Sequence, residues 1–528
     1  MRAHPARTRR NRRALRGLLA VAAAAALTAA TAGPAPANPT PTPTPALPDD
    51  AFFSYTREAR FGVTRTDVHV PVRDGSFIDC DLYRPGGAQG PAPGRHPGLV
   101  VDYTAYPQNV EHYGRMAAHF ARFGYNGLVC TARGSGGSPG RVDPFGPQEQ
   151  RDNYDVIEWL AARPWSTGRI GQMGNSYGAH SALLVAVNRP PHLKAIIPVN
   201  GIHDWYENTI YRGGVYSARI RPWQQATAPD TLTTYAEHPL YDGFWRDRSV
   251  MSRWNRLTVP VLEVNGWYDR YRDGMVKNYL ARKKNVWMVS GPWQHGYPSG
   301  QHADIGLGPY LAWWDRWLRQ DPAAPLPETK ITSYEVPGPG AGTGWHRYPD
   351  WPPPGARTVR LALNGDGGLG TSPGRPGTAG FTVNTGQDAA APGERLLFQT
   401  GPLRRDLVLA GDIEAGVKAS FTARDGNVAI VVSDVAPDGT ATRVTEGWLK
   451  ASHRSGHRRP VRVVPGRTHD LRVHVWPTHY RLAAGHRVRV TVSSDDYPEI
   501  DSDAPAGRVG VRVGARGSYA QLTVLPGP

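Results

Sequence analysis

The chain has 528 residues, with 61 Lys and Arg against 45 Asp and Glu, 60 Gly, 49 Pro and 2 Cys. Hydrophobic residues at 40%, together with 16 Trp, supply large cores, which excludes a disordered or collagen-like chain, and two cysteines exclude a disulfide scaffold. The formal charge of +16 is no nucleic-acid footprint: Arg2, Arg7, Arg9, Arg10, Arg12, Arg13 and Arg16 all precede the first apolar run, and the other basic residues form no stripe interleaved with aromatics.

Residues 1–37 read as a secretory signal: an Arg-rich start, an apolar stretch from Leu18 to Leu27, and small residues ending in Ala30-Thr31-Ala32 or Ala35-Pro36-Ala37. Arg12-Arg13 resembles a twin-arginine signal, and the ordinary secretory route is equally open. Residues 38–50 are rich in Pro and Thr and predict an extended linker. Later segments are too short in apolar run to span a bilayer, so the expectation is a secreted, extracellular protein without stable membrane insertion. In that setting Cys80 and Cys130 either pair or stay as buried thiols.

From Phe61 to about Trp317 short β-branched runs alternate with amphipathic segments, the pattern of an α/β sheet with crossover helices. The predicted strands are Thr66 to Val70, Phe77 to Leu82, Gly98 to Tyr103, Gly127 to Cys130, Ile170 to Met173, Ala195 to Val199, Val259 to Val264 and Val286 to Ser290, with helices over Asp152 to Ala162 and Ser181 to Val187. Residues 203–255, rich in Trp, Tyr and Arg and without a clear strand, predict a helical cap. After Pro325 short alternating runs separated by Gly and Pro predict a β-sandwich over 326–528, which sets the α/β domain at 51–325.

Three segments match G-x-S-x-G, centred on Ser138, Ser176 and Ser372. A nucleophilic serine at such an elbow needs the next residue's N–H for the developing oxyanion, and Pro139 and Pro373 have none to give. Ser176 is followed by Tyr177, preceded by a short strand and succeeded by a helix, so it is the candidate nucleophile. Its base and acid are expected in the order Ser, acid, His. Asp269 and His295 each lie just past the end of a predicted strand, where open sheets build sites. Asp204 is the rival acid; His180, His203 and His238 are competing bases placed on the helix after Ser176 or in the cap.

With these residues the chain resembles the family of X-Pro dipeptidyl-peptidases, cocaine esterase and α-amino-acid ester hydrolases. The matching segments include Arg133-Gly134-Ser135-Gly136-Gly137-Ser138-Pro139-Gly140, Asp155-Val156-Ile157-Glu158-Trp159-Leu160, Pro164-Trp165, Gly266-Trp267-Tyr268-Asp269, Gly291-Pro292-Trp293-Gln294-His295 and Ser433-Asp434-Val435-Ala436-Pro437-Asp438-Gly439. The resemblance implies an α/β-hydrolase fold with a short helical cap, a C-terminal jelly roll in which His486 is structural, and Ser176, Asp269 and His295 as triad. It also implies an oxyanion hole of the Tyr177 N–H and the Tyr106 hydroxyl, with Tyr103 as the alternative if the register slips. Two departures stand out: Thr131 replaces an Asp two residues before Arg133, and Ala105 replaces a Pro before Tyr106.

The shared chemistry is acyl transfer to serine from a small-molecule ester, amide or short peptide, with no cofactor and no metal. X-Pro dipeptidyl-peptidase-like activity is the leading expectation, with a cocaine-esterase-like carboxylesterase or amino-ester hydrolase beside it. A substrate ammonium would need carboxylates, for which Asp204 and Glu207 are the candidates, whereas Trp205, Trp267 and Trp293 could line an apolar acyl pocket. An alternative of another class makes the β-sandwich a glycan-binding or adhesion module, using Trp345, Trp351, Trp448 and Trp476 beside an inactive hydrolase.

Overall fold

The computed structural model describes residues 48–340, 344–386 and 388–526. The predicted signal, and the predicted linker up to residue 47, lie outside the described residues. Among the described residues no helix is long and apolar enough to cross a membrane.

Val, Ile, Leu and Cys runs bounded by Gly, Pro and Asn form the strands β1 (Gly62–Pro71), β2 (Phe77–Gly87), β3 (His96–Thr104), β4 (Asn126–Thr131), β5 (Ser166–Asn175), β6 (Leu193–Val199), β7 (Val261–Gly266), β8 (Val286–Gly291) and β9 (Ile331–Pro337). They pair in the order β1-β2-β4-β3-β5-β6-β7-β8-β9, antiparallel through β4 and parallel from there on. Each predicted strand is present, most of them lengthened by one to a few residues, while the one predicted over Val259 to Val264 is displaced two residues toward the C-terminus. The chain order reverses at β3, so the loops leaving β3 and β5 diverge and open a crevice at their carboxyl ends.

Crossover helices α1 (Val110–Arg122), α2 (Pro147–Ala161), α3 (Tyr177–Asn188), α4 (Arg272–Ala281) and α5 (Gly308–Trp317) cover the sheet. Helix α1 is amphipathic, burying Tyr113, Met116, Ala117 and Phe120 at helical spacing. Helix α3 is different, since every residue from Tyr177 to Val187 is buried. A helix apolar on all sides is enclosed on all sides, and burial of Leu183, Leu184, Val185 and Val187 at about 1.5–3 kcal/mol each holds its N-terminus rigidly.

Residues 203–255 contain short helices at Arg221–Thr227, Thr231–Ala236 and Gly243–Asp247. Alongside these helices, Tyr211–Arg212 pairs antiparallel with Val215–Tyr216, a short hairpin the sequence showed no clear strand for, because Gly213 and Gly214, both at positive φ, make a two-residue turn. His180 on α3 ties the cap down, its ring nitrogens lying 2.8 Å from the carbonyls of Ile202 and Arg248 at the two ends of the segment.

Cys80 and Cys130 sit directly opposite on β2 and β4 and form a disulfide. Closing a 50-residue separation restricts the unfolded chain, an effect of about 4 kcal/mol in the chain-entropy account.

After α5, strand β9 pairs with β8 through Met288 to Ser290 and, at Val336–Pro337, with Thr468–Leu482. One sheet of the C-terminal half is built on Leu407–Phe421, Thr468–Leu482, Arg508–Val513 and Tyr519–Leu525; the other pairs Arg395–Gln399, Arg487–Ser493, Asn427–Val435 and Ala441–Lys450 antiparallel. His486 is structural, as expected, bonding the buried Asp434 at 2.7 Å.

One buried acid in the hydrolase half predicts a pH dependence. Glu263 on β7 is fully buried, accepts a 3.0 Å bond from Asn278, and is pushed up to about 8 by that burial. The unfolded side chain loses its proton near pH 4.3, so between there and about 8 the folded state holds the extra proton and stability falls as pH rises. Glu263→Gln removes this cost. Thermal melts should coincide near pH 5 and separate by roughly 3–6 °C in favour of the variant at pH 8.5. A difference independent of pH would refute the assignment.

Candidate active site

Ser176 stands between β5 and α3 at φ 58° and ψ −106°, a strained region for a residue with a side chain. Its flanking glycines have a steric reason. A Cβ on Gly174 would come within 2.5 Å of the Gly178 carbonyl carbon, and one on Gly178 within 2.4 Å of the Asp102 carboxylate. Val199 accepts the Ser176 N–H at 2.9 Å, fixing the turn against β6. The two competing serines are structural. Ser138 donates to the Thr131 carbonyl and accepts the Asp79 N–H, and Ser372 lies in an exposed turn whose carbonyl accepts from Asn364.

At position 131, the departure noted above, Thr131 Oγ1 bonds Ser138 at 3.0 Å, while Arg133 takes Asp152 in a two-point ion pair. The end of β4 is therefore supported without the carboxylate.

Asp269 follows β7 and His295 follows β8. The buried Asp269 Oδ2 lies 2.6 Å from His295 Nδ1, and its Oδ1 accepts the Tyr271 N–H at 2.6 Å. A carboxylate on Nδ1 holds Nε2 as the free nitrogen of the neutral ring. His295 is 29% exposed on its side chain and lines, with Ser176, a cavity of about 330 Å³. Asp204 does not contact this histidine. It is buried in the cap, accepting the Glu207 N–H at 2.8 Å, and burial pushes it up to about 6. The competing histidines are engaged elsewhere: His203 bonds Asn278, and His238 pairs with Asp242.

Tyr106 lines the cavity and Tyr103 does not; the latter is fully buried under the sheet end. The missing Pro at 105 is compensated by Thr104, whose Oγ1 accepts the Tyr106 N–H, and by Pro107, which starts the turn Pro107–Asn109. The Tyr106 hydroxyl accepts a 2.7 Å bond from Trp223 Nε1, leaving its own proton to donate, and burial raises its pKa so that it stays protonated. Sequence reasoning missed Trp223, for which no spacing signal exists. Tyr177 turns its hydroxyl away from the cavity, donating to Glu149 at 2.6 Å, a carboxyl pushed up to about 8 by burial. Its N–H opens α3 and has no carbonyl four residues earlier to bond.

The five residues proposed for the pocket separate. Trp205 is on the cavity wall with Trp223, Ile202 and Ile220. Trp267 is buried, stacked on Trp351 at 5.2 Å and bonded to Ser333, and it lines an adjoining cavity instead. Trp293 packs against Trp345 and donates to the His302 carbonyl. Glu207 forms an ion pair with Lys277 at 3.3 Å and faces cavities between the cap and the β-sandwich. Neither Asp204 nor Glu207 lines the Ser176 cavity, so the expected ammonium site is not assembled there. Among the described residues no group of three or more His, Cys, Asp or Glu is placed to hold a metal ion.

A strained serine elbow, a carboxylate-bound histidine and two potential oxyanion donors around one cavity are the parts of a serine hydrolase. Comparison with known proteins agrees. The sequence matches the X-Pro dipeptidyl-peptidase (S15 family) over residues 74–231 and 215–297, and the X-Pro dipeptidyl-peptidase C-terminal non-catalytic domain over residues 326–521. The chain belongs to the X-Pro dipeptidyl-peptidase S15 family. Among its relatives, cocaine esterase from Rhodococcus sp. is 26% identical over 84% of this chain and 93% of its own length. A putative Xaa-Pro dipeptidyl-peptidase from Bacillus cereus is 21% identical over 82% of this chain and 81% of its own. A solved CocE/NonD family hydrolase from Staphylococcus aureus superposes with a TM-score of 0.77 at 18% identity, covering 89% of this chain and 98% of that one, which establishes the fold. This S15-family chain is therefore a serine hydrolase of esters or peptide-type amides.

Proposed function

We propose that this hydrolase is an exported carboxylesterase acting on esters with an uncharged acyl group. The observation that carries the reading is the composition of the Ser176 cavity. Among the described residues, its wall carries Arg270 and no carboxylate, and Trp205, Trp223, Ile202 and Ile220 give it an apolar face beside the polar Gln108, Asn109 and Asn175. A dipeptidyl-peptidase or amino-ester hydrolase must desolvate a substrate ammonium, which is costly without a carboxylate partner. The similarity to a cocaine esterase supports the same branch of the family.

In this reading Ser176 Oγ attacks the acyl carbon while His295 Nε2 takes its proton and Asp269 stabilises the imidazolium. The Tyr177 N–H and the Tyr106 hydroxyl receive the oxyanion, beside the positive end of α3. His295 returns the proton to the departing alcohol, and water, deprotonated by His295, then releases the acid.

Export is supported by the N-terminal Arg-rich and apolar segment and by the Cys80–Cys130 disulfide, which persists in oxidising compartments. We assign residues 51–325 to the hydrolase domain, with its cap over about 203–255, and 326–528 to a C-terminal jelly roll. Trp351, Trp448 and Trp476 are buried and Trp345 packs on Trp293, so these tryptophans offer a glycan no stacking face.

The test is kcat/KM of wild-type protein on p-nitrophenyl butyrate and on Gly-Pro-p-nitroanilide, with Ser176→Ala as blank. Serine-dependent ester cleavage exceeding anilide cleavage by at least about a hundredfold is expected. Comparable rates on the anilide would overturn the reading and demand an ammonium site.

A further inference from the structure

A second cavity, also of about 330 Å³, adjoins the Ser176 cavity along a shared wall of Arg270 and His295. It lies where the loops after β7 and β8 face the β-sandwich. Its walls are strongly cationic, carrying Arg219, Arg270, Arg272 and Arg443 against Glu446 and Glu499.

Both carboxylates are already engaged. Glu446 is held by Arg272 at 2.7 Å and Arg443 at 2.8 Å, and Arg443 also pairs with Asp496. Glu499 is held by Arg212 at 2.6 Å and by Arg219. Arg270 differs from its neighbours: it is exposed, borders both cavities, and forms no hydrogen bond or ion pair with the described residues.

Catalysis dictates which part of a substrate comes here. His295 must reach the leaving oxygen to protonate it, so the alcohol portion departs along His295, while the acyl portion stays between Trp205, Trp223 and the oxyanion donors. Beyond His295 on that side lies the cavity lined by the arginines. A guanidinium without a partner beside fixed ion pairs of net positive charge recognises a carboxylate by a two-point contact.

Resting on the esterase reading, we propose that Arg270 is a specificity residue that binds a carboxylate on the leaving alcohol. The preferred substrates are then esters of hydroxy acids, with an apolar acyl group on the serine side and an anionic alcohol on the histidine side.

The test compares 3-(butyryloxy)benzoate with its N-methylamide, which share the acyl group and differ in the charge of the leaving phenol. The ratio of their kcat/KM values is measured for wild type, Arg270→Gln and Arg270→Lys, at 0.05 and 0.5 M salt. Differences in intrinsic leaving-group acidity cancel between wild type and variant.

The carboxylate preference is expected to fall about tenfold in Arg270→Gln, to be partly kept in Arg270→Lys, and to shrink in wild type at high salt, since an exposed cation is screened. An unchanged ratio in Arg270→Gln, or a wild-type ratio insensitive to salt, overturns the inference and leaves the esterase reading intact. The salt series decides alone if the variants fail to fold. Failure of wild type to cleave either ester in a Ser176-dependent way overturns the esterase reading itself, and this inference with it.

Discussion

Ser176→Ala is expected to lower kcat on p-nitrophenyl butyrate by about 10⁶-fold while leaving the protein folded. The size follows from how the elbow is made. Ser176 is held at φ 58° by the packing of Gly174 against Gly178 and by the bond from its N–H to Val199, so no neighbouring hydroxyl can take its place. Deleting the nucleophile leaves His295 and Asp269 paired but with no acyl acceptor except water. What remains is the catalysis supplied by the oxyanion donors and by binding, about 10³–10⁴ over the uncatalysed rate. Alanine keeps the backbone and removes one oxygen, so the fold is spared. A fall of less than about a hundredfold would remove Ser176 from the central role.

The second large effect belongs to the oxyanion hole. Tyr106→Phe should reduce kcat by about 10²–10³ with KM changed less than about threefold, because the hydroxyl meets full negative charge only in the transition state. The bond from Trp223 Nε1 occupies a lone pair of the Tyr106 oxygen and aims its proton into the cavity. Phenylalanine preserves the edge-to-face packing against Tyr177, whose ring lies 5.7 Å away, so packing is not what is tested. A rise in KM at constant kcat would make Tyr106 a binding residue and leave the Tyr177 N–H as the remaining donor of the two.

Much of the framework could be read from residues alone because its signals are local. β-Branched runs mark β3 to β8, and the three of these strands that end in Asn or Gly, β5, β7 and β8, are followed within four residues by Ser176, Asp269 and His295. The Pro test on Ser138 and Ser372 succeeded because a missing N–H is a property of one residue. Tyr106 needed a resemblance, since nothing in the spacing from residue 106 to 176 reports that β3 and β5 are neighbours.

The pocket was the least legible part. Glu207 lies in a π-helical turn, Tyr206–Ile210, that directs it to Lys277, a partner 70 residues away in sequence, and Asp204 is buried just before that turn. Trp267 and Trp293 flank triad residues in sequence, yet Trp267 finds Trp351 and Trp293 folds back over Gly291, where a Cβ would sit 2.2 Å from its ring. Arg270 had a local signal, its place beside Asp269, but its lack of a partner is a tertiary fact.

The most direct test of the central claim is covalent. Folded wild-type protein is reacted with an alkyl fluorophosphonate, digested, and the adduct located by mass spectrometry. The geometry predicts one stoichiometric adduct, on Ser176, absent from Ser176→Ala. An adduct on another serine, or no adduct on folded protein, would contradict the assignment of Ser176, His295 and Asp269 as the reacting group.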